Sequence, residues 1–354
     1  MVQAHGVAQR GWGRTYPNPL VGAVVASGTQ WLGSGHHAEF GGIHAEVAAL
    51  ASAGERSRGA TLYVTLEPCA HHGKQPPCTA AIIAAGVARV VIGRRDPNPE
   101  AAGGVELLRA AGIQVTIGVD GRSIPDSNFR FHHRFSGLPR PYVAIKLAVS
   151  MDGMIADGSG NSRWISGAAS RNWVHWLRSG FAAVAAGART VIADEARLTV
   201  RGAVQPRITP VRVIFDRTGT LPPDHVVFED QEQAPVVVVV GSGVVGARRK
   251  ALTAAGARLV VADTLPDAMR LLSAEAVDSM LVEGGGRLAG ALLRDGLVDR
   301  IYQLQCPRWL GEGTPAWVGL GTPALADAAR WRVTSVQEFT DGVDETDVLI
   351  EMER

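Results

Sequence analysis

The sequence predicts two successive α/β domains. The chain has 354 residues, against about 150 for a common domain. Short apolar runs of strand length alternate with helix-length segments along its whole extent. A turn-rich joint, SGLPRP at residues 136–141, separates two such series and places the boundary at 138/139. Apolar residues make up 46% and charged residues 19%, which excludes a disordered chain.

In the first series Leu20 to Ala26, Thr61 to Thr65, Arg89 to Gly93 and Ile113 to Ile117 read as strands. His44 to Ala53, Thr79 to Ala85 and Val105 to Ala111 read as helices, the last stopped by Gly112. This rhythm implies a layered sandwich around a largely parallel sheet. In the second series Tyr142 to Val149, Ala182 to Ala186, Val211 to Phe215, Val236 to Val240, Arg258 to Val261 and Ser279 to Val282 read as strands. Ala168 to Arg178, Gly246 to Ala254, Pro266 to Ala274 and Leu288 to Asp295 read as helices, and Ile301 to Gln305 and Val348 to Glu351 as closing strands. The aromatic stripe Asn172 to Phe181 has core spacing, with Arg178 reaching out of it. His132 and His133 read as helix-surface residues rather than metal ligands.

Formal charge is +1, split as +3 before the joint and −2 after it, so no broad basic footprint for nucleic acid is present. No apolar run reaches the ~18 residues of a membrane span. The N-terminal stretch lacks the apolar core of a signal peptide, and three cysteines make no disulfide framework. These features predict a cytoplasmic protein that binds neither membrane nor nucleic acid.

The chemistry concentrates in His44-Ala45-Glu46, Pro68-Cys69 and Pro77-Cys78. One imidazole and two thiolates form a three-ligand zinc set that leaves a fourth position for water, and zinc lowers the pKa of that water to ~7. Glu46, two residues beyond the histidine, is placed to shuttle protons without binding the metal. The arrangement follows the H-x-E…P-C-x-x-C signature of zinc deaminases. Eight residues, AHHGKQPP, replace the usual two between the cysteines. They add His71, His72 and Lys74 beside the metal, which suits a phosphorylated substrate. A closed site with His71 or His72 as fourth ligand stays open on spacing alone, as does a pair of merely structural thiols.

Two glycine signals compete in the second domain. Gly241 to Gly246, GSGVVG, follows the strand Val236 to Val240, with Asp263 about 20 residues on, as in a dinucleotide fingerprint. A fingerprint of that kind usually opens its domain, and this one does not. Leu281 to Leu293, LVEGGGRLAGALL, ends a strand and opens a helix whose free N–H groups suit a diphosphate. Only three lysines, Lys74, Lys146 and Lys250, stand among 35 basic residues. Lys146 lies on an otherwise apolar strand, where a buried ammonium is costly unless it faces a cleft or a partner.

LEPCAHHGKQPPC after HAEVAAL, with TYPNPLVGAVV upstream and RDPNP downstream, closely resembles the bacterial bifunctional riboflavin-biosynthesis deaminase–reductases. AIKLAVSMDGMIA, NSRWIS, GARTVIADEARLTVR and EGGGRLAGALL extend the resemblance over almost the whole chain. It implies a cytidine-deaminase-like three-layer sandwich followed by a dihydrofolate-reductase-like domain, with zinc and NADPH as cofactors. The implied reactions are hydrolytic deamination of 2,5-diamino-6-(5-phosphoribosylamino)pyrimidin-4-one and reduction of its phosphoribosyl group to a ribityl chain. Carried over, His44, Cys69 and Cys78 hold zinc and Glu46 is the proton shuttle. Asn18, His37, His71, Lys74 and Asp96 lie at the deaminase substrate, Lys74 toward its phosphate. Ser162, Arg178, Leu198, Arg201 and Glu283 lie at the reductase substrate. Lys146, read from its place on the strand as facing the cleft, polarises the sugar oxygen or binds a hydroxyl. Ala148, Trp164, Thr190, Asp194 and the run Gly285, Gly286, Arg287, Leu288, Ala289, Gly290, Ala291 lie at NADPH. The family implies a homo-oligomer. Tyr16 stands where the family pattern has histidine, and Arg217 where it has a small residue. The competing reading is a nucleic-acid or nucleoside zinc deaminase fused to an unrelated nucleotide-binding domain; a non-catalytic zinc module is a further one.

Overall fold

The computed structural model describes the chain except residues 74, 120–125, 322–323 and 343–344. It divides into two compact units, Met1–Ser136 and Gly137–Arg354.

The first unit is built on five strands: β1 (Gly22–Ser27), β2 (Gln30–His36), β3 (Thr61–Leu66), β4 (Arg89–Arg94) and β5 (Gln114–Ile117). Their order is β2-β1-β3-β4-β5. The sheet is mixed rather than largely parallel, because β1 runs antiparallel to both β2 and β3 while β3, β4 and β5 are parallel. The helices are α1 (Val2–Ala8), α2 (Ala45–Ala53), α3 (Cys78–Ala85), α4 (Gly104–Ala110) and α5 (Phe129–Arg134). Successive residues of a strand face opposite sides, and β1 shows the layering directly. Gly22 meets the backbone of α1, while Ala23 and Val25 pack into the core with α2, α3 and α4. The sheet is therefore covered on both faces. Strand β2, which periodicity does not reveal, carries Gly33 and Gly35. A Cβ on either would lie 2.4–2.5 Å from the backbone of α2, so these glycines set how closely that helix lies on the sheet.

The second unit holds β6 (Tyr142–Val149), β7 (Met154–Ala156), β8 (Ala183–Gly187), β9 (Val211–Phe215), β10 (Val236–Val240), β11 (Arg258–Val261), β12 (Ser279–Glu283), β13 (Arg300–Gln305), β14 (Thr314–Pro315), β15 (Arg332–Asp341) and β16 (Glu345–Glu353). Its helices are α6 (Ala168–Ser179), α7 (Ala188–Ala193), α8 (Gly246–Ala254), α9 (Leu265–Ala274) and α10 (Gly286–Arg294). Nine strands form one sheet, ordered β11-β10-β9-β8-β12-β6-β13-β16-β15, while β7 and β14 pair separately. From β11 to β13 all neighbours are parallel. All five valines of β10 are buried, as a strand covered on both faces requires.

The chain lays down β6, runs outward through β8 to β11, then returns to insert β12 between β6 and β8. Ligands bind in open α/β sheets at such reversals, beyond the carboxyl ends of the strands. Val143, Ile145, Leu147 and Val149 of β6 and Met280 and Val282 of β12 pack with α9 and α10 in one core. The opposite parity, including Lys146, Ala148 and Glu283, faces the other side, where α6 lies. There Val174, Leu177 and Phe181 are buried, and Trp173 packs on Tyr302 and Phe339.

Candidate active sites

In the first unit two helix N-termini converge. His44 caps α2 with extended backbone, its ring turned to the sulfurs rather than to the helix. Cys78 opens α3 and its N–H donates to Cys69 Sγ at 3.4 Å. Partial positive charge at both helix ends favours thiolates here. His44 Nδ1 lies 3.2 Å from Cys78 Sγ and 3.6 Å from Cys69 Sγ. A tetrahedral zinc, bonded at ~2.0–2.1 Å to nitrogen and ~2.3 Å to sulfur, holds such a pair roughly 3.6 Å apart. All three ligand atoms lie within 4.8 Å of one another, and no other such group occurs among the described residues. A hydrogen bond from the Cys78 thiol, with help from His44, draws Cys69 down to about 4. The same bond, together with burial, pushes Cys78 up.

Glu46 stands outside this ligand group and is almost fully buried. Burial and the neighbouring Cys69 raise its carboxyl to about 7, a value suited to taking and returning protons near neutrality. A cavity of about 270 Å³ opens beside it, lined among others by Asn18, His37, His71 and Asp96. Lys74 lies outside the described residues. His37 Nδ1–H donates to the Ile43 carbonyl at 3.0 Å, so Nε2 accepts from the Asn18 amide at 3.1 Å. Asp96 Oδ1 accepts the Asn98 N–H, and burial raises the Asp96 pKa.

Glu67 was not singled out by sequence. Its buried carboxylate accepts N–H groups from Asp96 at 3.3 Å and Val105 at 3.1 Å, tying the RDPNP loop and the start of α4 to the cysteine loop. The available signal was a carboxylate ending the apolar strand Thr61–Leu66.

In the second unit the parallel register sets Lys146 opposite Glu283. Among the described residues Lys146 has no hydrogen bond or ion pair, and burial lowers its pKa. Arg178 is held by internal partners. Its guanidinium clasps Glu283 at 2.5 and 2.9 Å and donates to the Thr199 carbonyl at 2.7 Å, so most of its donors are committed within the protein. Burial opposes the charge on both, yet the pairing holds Glu283 below and Arg178 above their usual ranges. Ser162 donates to Asp194 at 2.9 Å. Trp164 is exposed beneath the Arg171 guanidinium. The Leu198 side chain is buried in the core, leaving only its backbone, at φ 54°, for any ligand.

The loop between β12 and α10 fits a diphosphate in part. Gly284 and Gly285 have φ of 69° and 79°, and a Cβ on Gly285 would lie 2.8 Å from Thr190 Oγ1. Bare backbone and the Thr190 hydroxyl thus border one cradle. Gly286 and Gly290 are glycine for a different reason: a Cβ would strike the carbonyls of Pro315 and Val318. Ala289 is likewise core. The competing Gly241–Gly246 loop is closed on itself. Asp263 accepts the Ser242 N–H at 2.8 Å, and Arg249 donates to the carbonyls of Gly241 and Ser242.

Comparison with known proteins agrees with both halves. Residues 1–94 match the cytidine and deoxycytidylate deaminase zinc-binding region, and residues 141–344 match the RibD C-terminal domain. The chain is 40% identical over 316 residues to the riboflavin biosynthesis protein RibD of Aquifex aeolicus, covering 88% of this chain and 87% of that protein. It is 36% identical to RibD of Escherichia coli, with 95% of each chain covered. Among solved structures it resembles the diaminohydroxyphosphoribosylaminopyrimidine deaminase/5-amino-6-(5-phosphoribosylamino)uracil reductase of Thermotoga maritima. That match has a TM-score of 0.77 and 37% identity, over 100% of this chain and 97% of the other. RibD of Acinetobacter baumannii gives a TM-score of 0.73 at 35% identity, over 100% and 98%.

Proposed function

Because this chain belongs to the RibD family of riboflavin biosynthesis proteins, we propose how its residues divide the work of a zinc-dependent deaminase and an NADPH-dependent reductase. The deaminase substrate is 2,5-diamino-6-(5-phosphoribosylamino)pyrimidin-4-one, and the reductase takes the resulting aminouracil. The observation that carries this reading is the meeting of His44, Cys69 and Cys78 at ion-binding distance beside buried Glu46.

In the first unit His44, Cys69 and Cys78 hold the zinc, which when bound makes water acidic enough to supply hydroxide at neutral pH. Glu46 accepts the proton of the attacking water and returns it to the departing amine; its raised carboxyl pKa suits both directions. Asn18 presents its amide to the pyrimidine, oriented by His37. Asp96 and His71 line the same cavity, and the family resemblance assigns Lys74 to the substrate's phosphate.

In the second unit the hydride would come from NADPH when it is bound. Thr190, Asp194, Ala148, Trp164 and the loop from Gly285 form its seat. Lys146, opposite Glu283 on the neighbouring strand, donates a hydrogen bond to the opened sugar's oxygen, polarising it for reduction. Glu283, anchored by Arg178, and Ser162, Leu198 and Arg201 line the sugar-phosphate side. We place both reactions in the cytoplasm, in an assembly of identical chains, without nucleic acid. Among the described residues no helix is long and apolar enough to cross a membrane.

The test is a coupled assay with the diamino substrate and NADPH, following ammonia release and nicotinamide oxidation separately. Both signals are expected, the first requiring zinc. Ammonia from single-stranded RNA instead would favour the nucleic-acid deaminase.

A further inference from the structure

Helix α6 carries two polar side chains one turn apart, His175 and Arg178. Both reach the loop that follows α7. Arg178 Nη1 donates to the Thr199 carbonyl at 2.7 Å, and the backbone N–H of Arg201 donates to His175 Nδ1 at 3.2 Å. A ring nitrogen that accepts carries no proton, so His175 is neutral with its hydrogen on Nε2. The loop passes through two non-glycine residues of left-handed backbone, Glu195 at φ 45° and Leu198 at φ 54°. Such conformations persist only where the surroundings impose them. Here the surroundings are the buried Leu198 side chain and the two ties from α6.

What the loop presents is Arg201. Its side chain is exposed and has no hydrogen bond or ion pair among the described residues; Arg178 and Arg197, themselves paired with Glu283 and Glu229, add positive charge near it. A forked guanidinium without a carboxylate partner is a seat for a phosphate dianion.

We propose that His175 is a positioning residue of the reductase site: by accepting the Arg201 backbone N–H it fixes the loop so that the Arg201 guanidinium meets the substrate's phosphate. The inference rests on the reductase reading above and adds to it a residue that touches neither substrate nor cofactor.

The experiment is steady-state NADPH oxidation by the full chain with 5-amino-6-(5-phosphoribosylamino)uracil. His175→Leu removes the acceptor and is expected to raise KM for this substrate about tenfold, the worth of one hydrogen bond. kcat should stay within about twofold and KM for NADPH should not move. His175→Asn places an amide oxygen near the position of Nδ1 and should restore KM. In an Arg201→Ala background, His175→Leu should add nothing further, because the group it positions is gone. An unchanged KM in His175→Leu overturns the proposal, as does a full additional loss in the Arg201→Ala background. Should His175→Leu fail to fold, His175→Asn against His175→Gln decides, since the longer amide does not reproduce the Nδ1 position; equal KM values overturn the proposal. A wild-type chain that oxidises no NADPH with this substrate overturns the reductase reading itself, a separate result.

Discussion

His37 Nε2 accepts a hydrogen bond from the Asn18 amide at 3.1 Å, and this bond fixes which end of the Asn18 side chain is available to a ligand. The Ile43 carbonyl can only accept, so it takes the Nδ1 proton of His37 and leaves a lone pair at Nε2. Burial lowers the pKa of His37 and keeps the ring neutral. One of the two Asn18 N–H donors is thereby spent and the amide is oriented, so its oxygen remains as an acceptor at the cavity. An acceptor suits the amino group and ring N–H of a pyrimidine.

His37→Leu is expected to lower deaminase kcat/KM about tenfold, the value of a hydrogen bond that orients rather than reacts. His37→Gln, whose amide oxygen reaches the place of Nε2, should lose less. Ammonia release measures both, with zinc content as the control for folding of the site.

Glu46→Gln should reduce ammonia release by roughly 10²–10⁴-fold, the usual contribution of a positioned acid–base group. Zinc stoichiometry and the oxidation of NADPH with the aminouracil as substrate should be unchanged. A wild-type rate of ammonia release would remove Glu46 from the mechanism.

His175 gives a signed pH effect. Burial, with Arg178 and Arg201 adding to it, takes its pKa down to about 4 from the usual 6.5. Between these values the unfolded chain binds the proton and the folded one does not, so stability falls as pH falls from about 6.5 to about 4. Thermal unfolding of the wild type and of His175→Asn across this range should converge toward low pH, because the asparagine has no proton to gain.

Gly285→Asp places a side chain against Thr190 Oγ1 and a negative charge where a diphosphate would lie. NADPH affinity should fall at least about tenfold by charge repulsion and lost space, with deamination intact. Unchanged affinity in a cofactor titration would return attention to the Gly241–Gly246 loop.

Asp341→Ala tests how α6 begins. Its N-cap, Gly167, has no side chain to offer. Asp341 instead accepts the N–H groups of Ala168 and Ala169, and Asp347 those of Gly167 and the Ser170 hydroxyl. Loss of Asp341 should cost about 1 kcal/mol by denaturant unfolding, as for other cap removals.

Much of this protein was legible in one dimension. The strands Tyr142–Val149, Val211–Phe215 and Val236–Val240 were readable because strands buried on both faces are continuous apolar runs. Strand β2 was not, because the glycines that admit α2 erase its pattern. Nor was β15, an edge strand whose exposed residues carry little periodicity.

The sequence by itself pointed to His44, Cys69 and Cys78 as the candidate metal group, because a metal accepts few donor types and two of the chain's three cysteines flank one loop; the fold brings their ligand atoms within 4.8 Å of one another. Tertiary structure alone decided how polar groups are spent. Arg178 is occupied by Glu283, 105 residues away, and α6 is capped from residues more than 170 positions later. Spacing along a chain records which groups are available; only folding, by taking them out of water, requires each to find a partner.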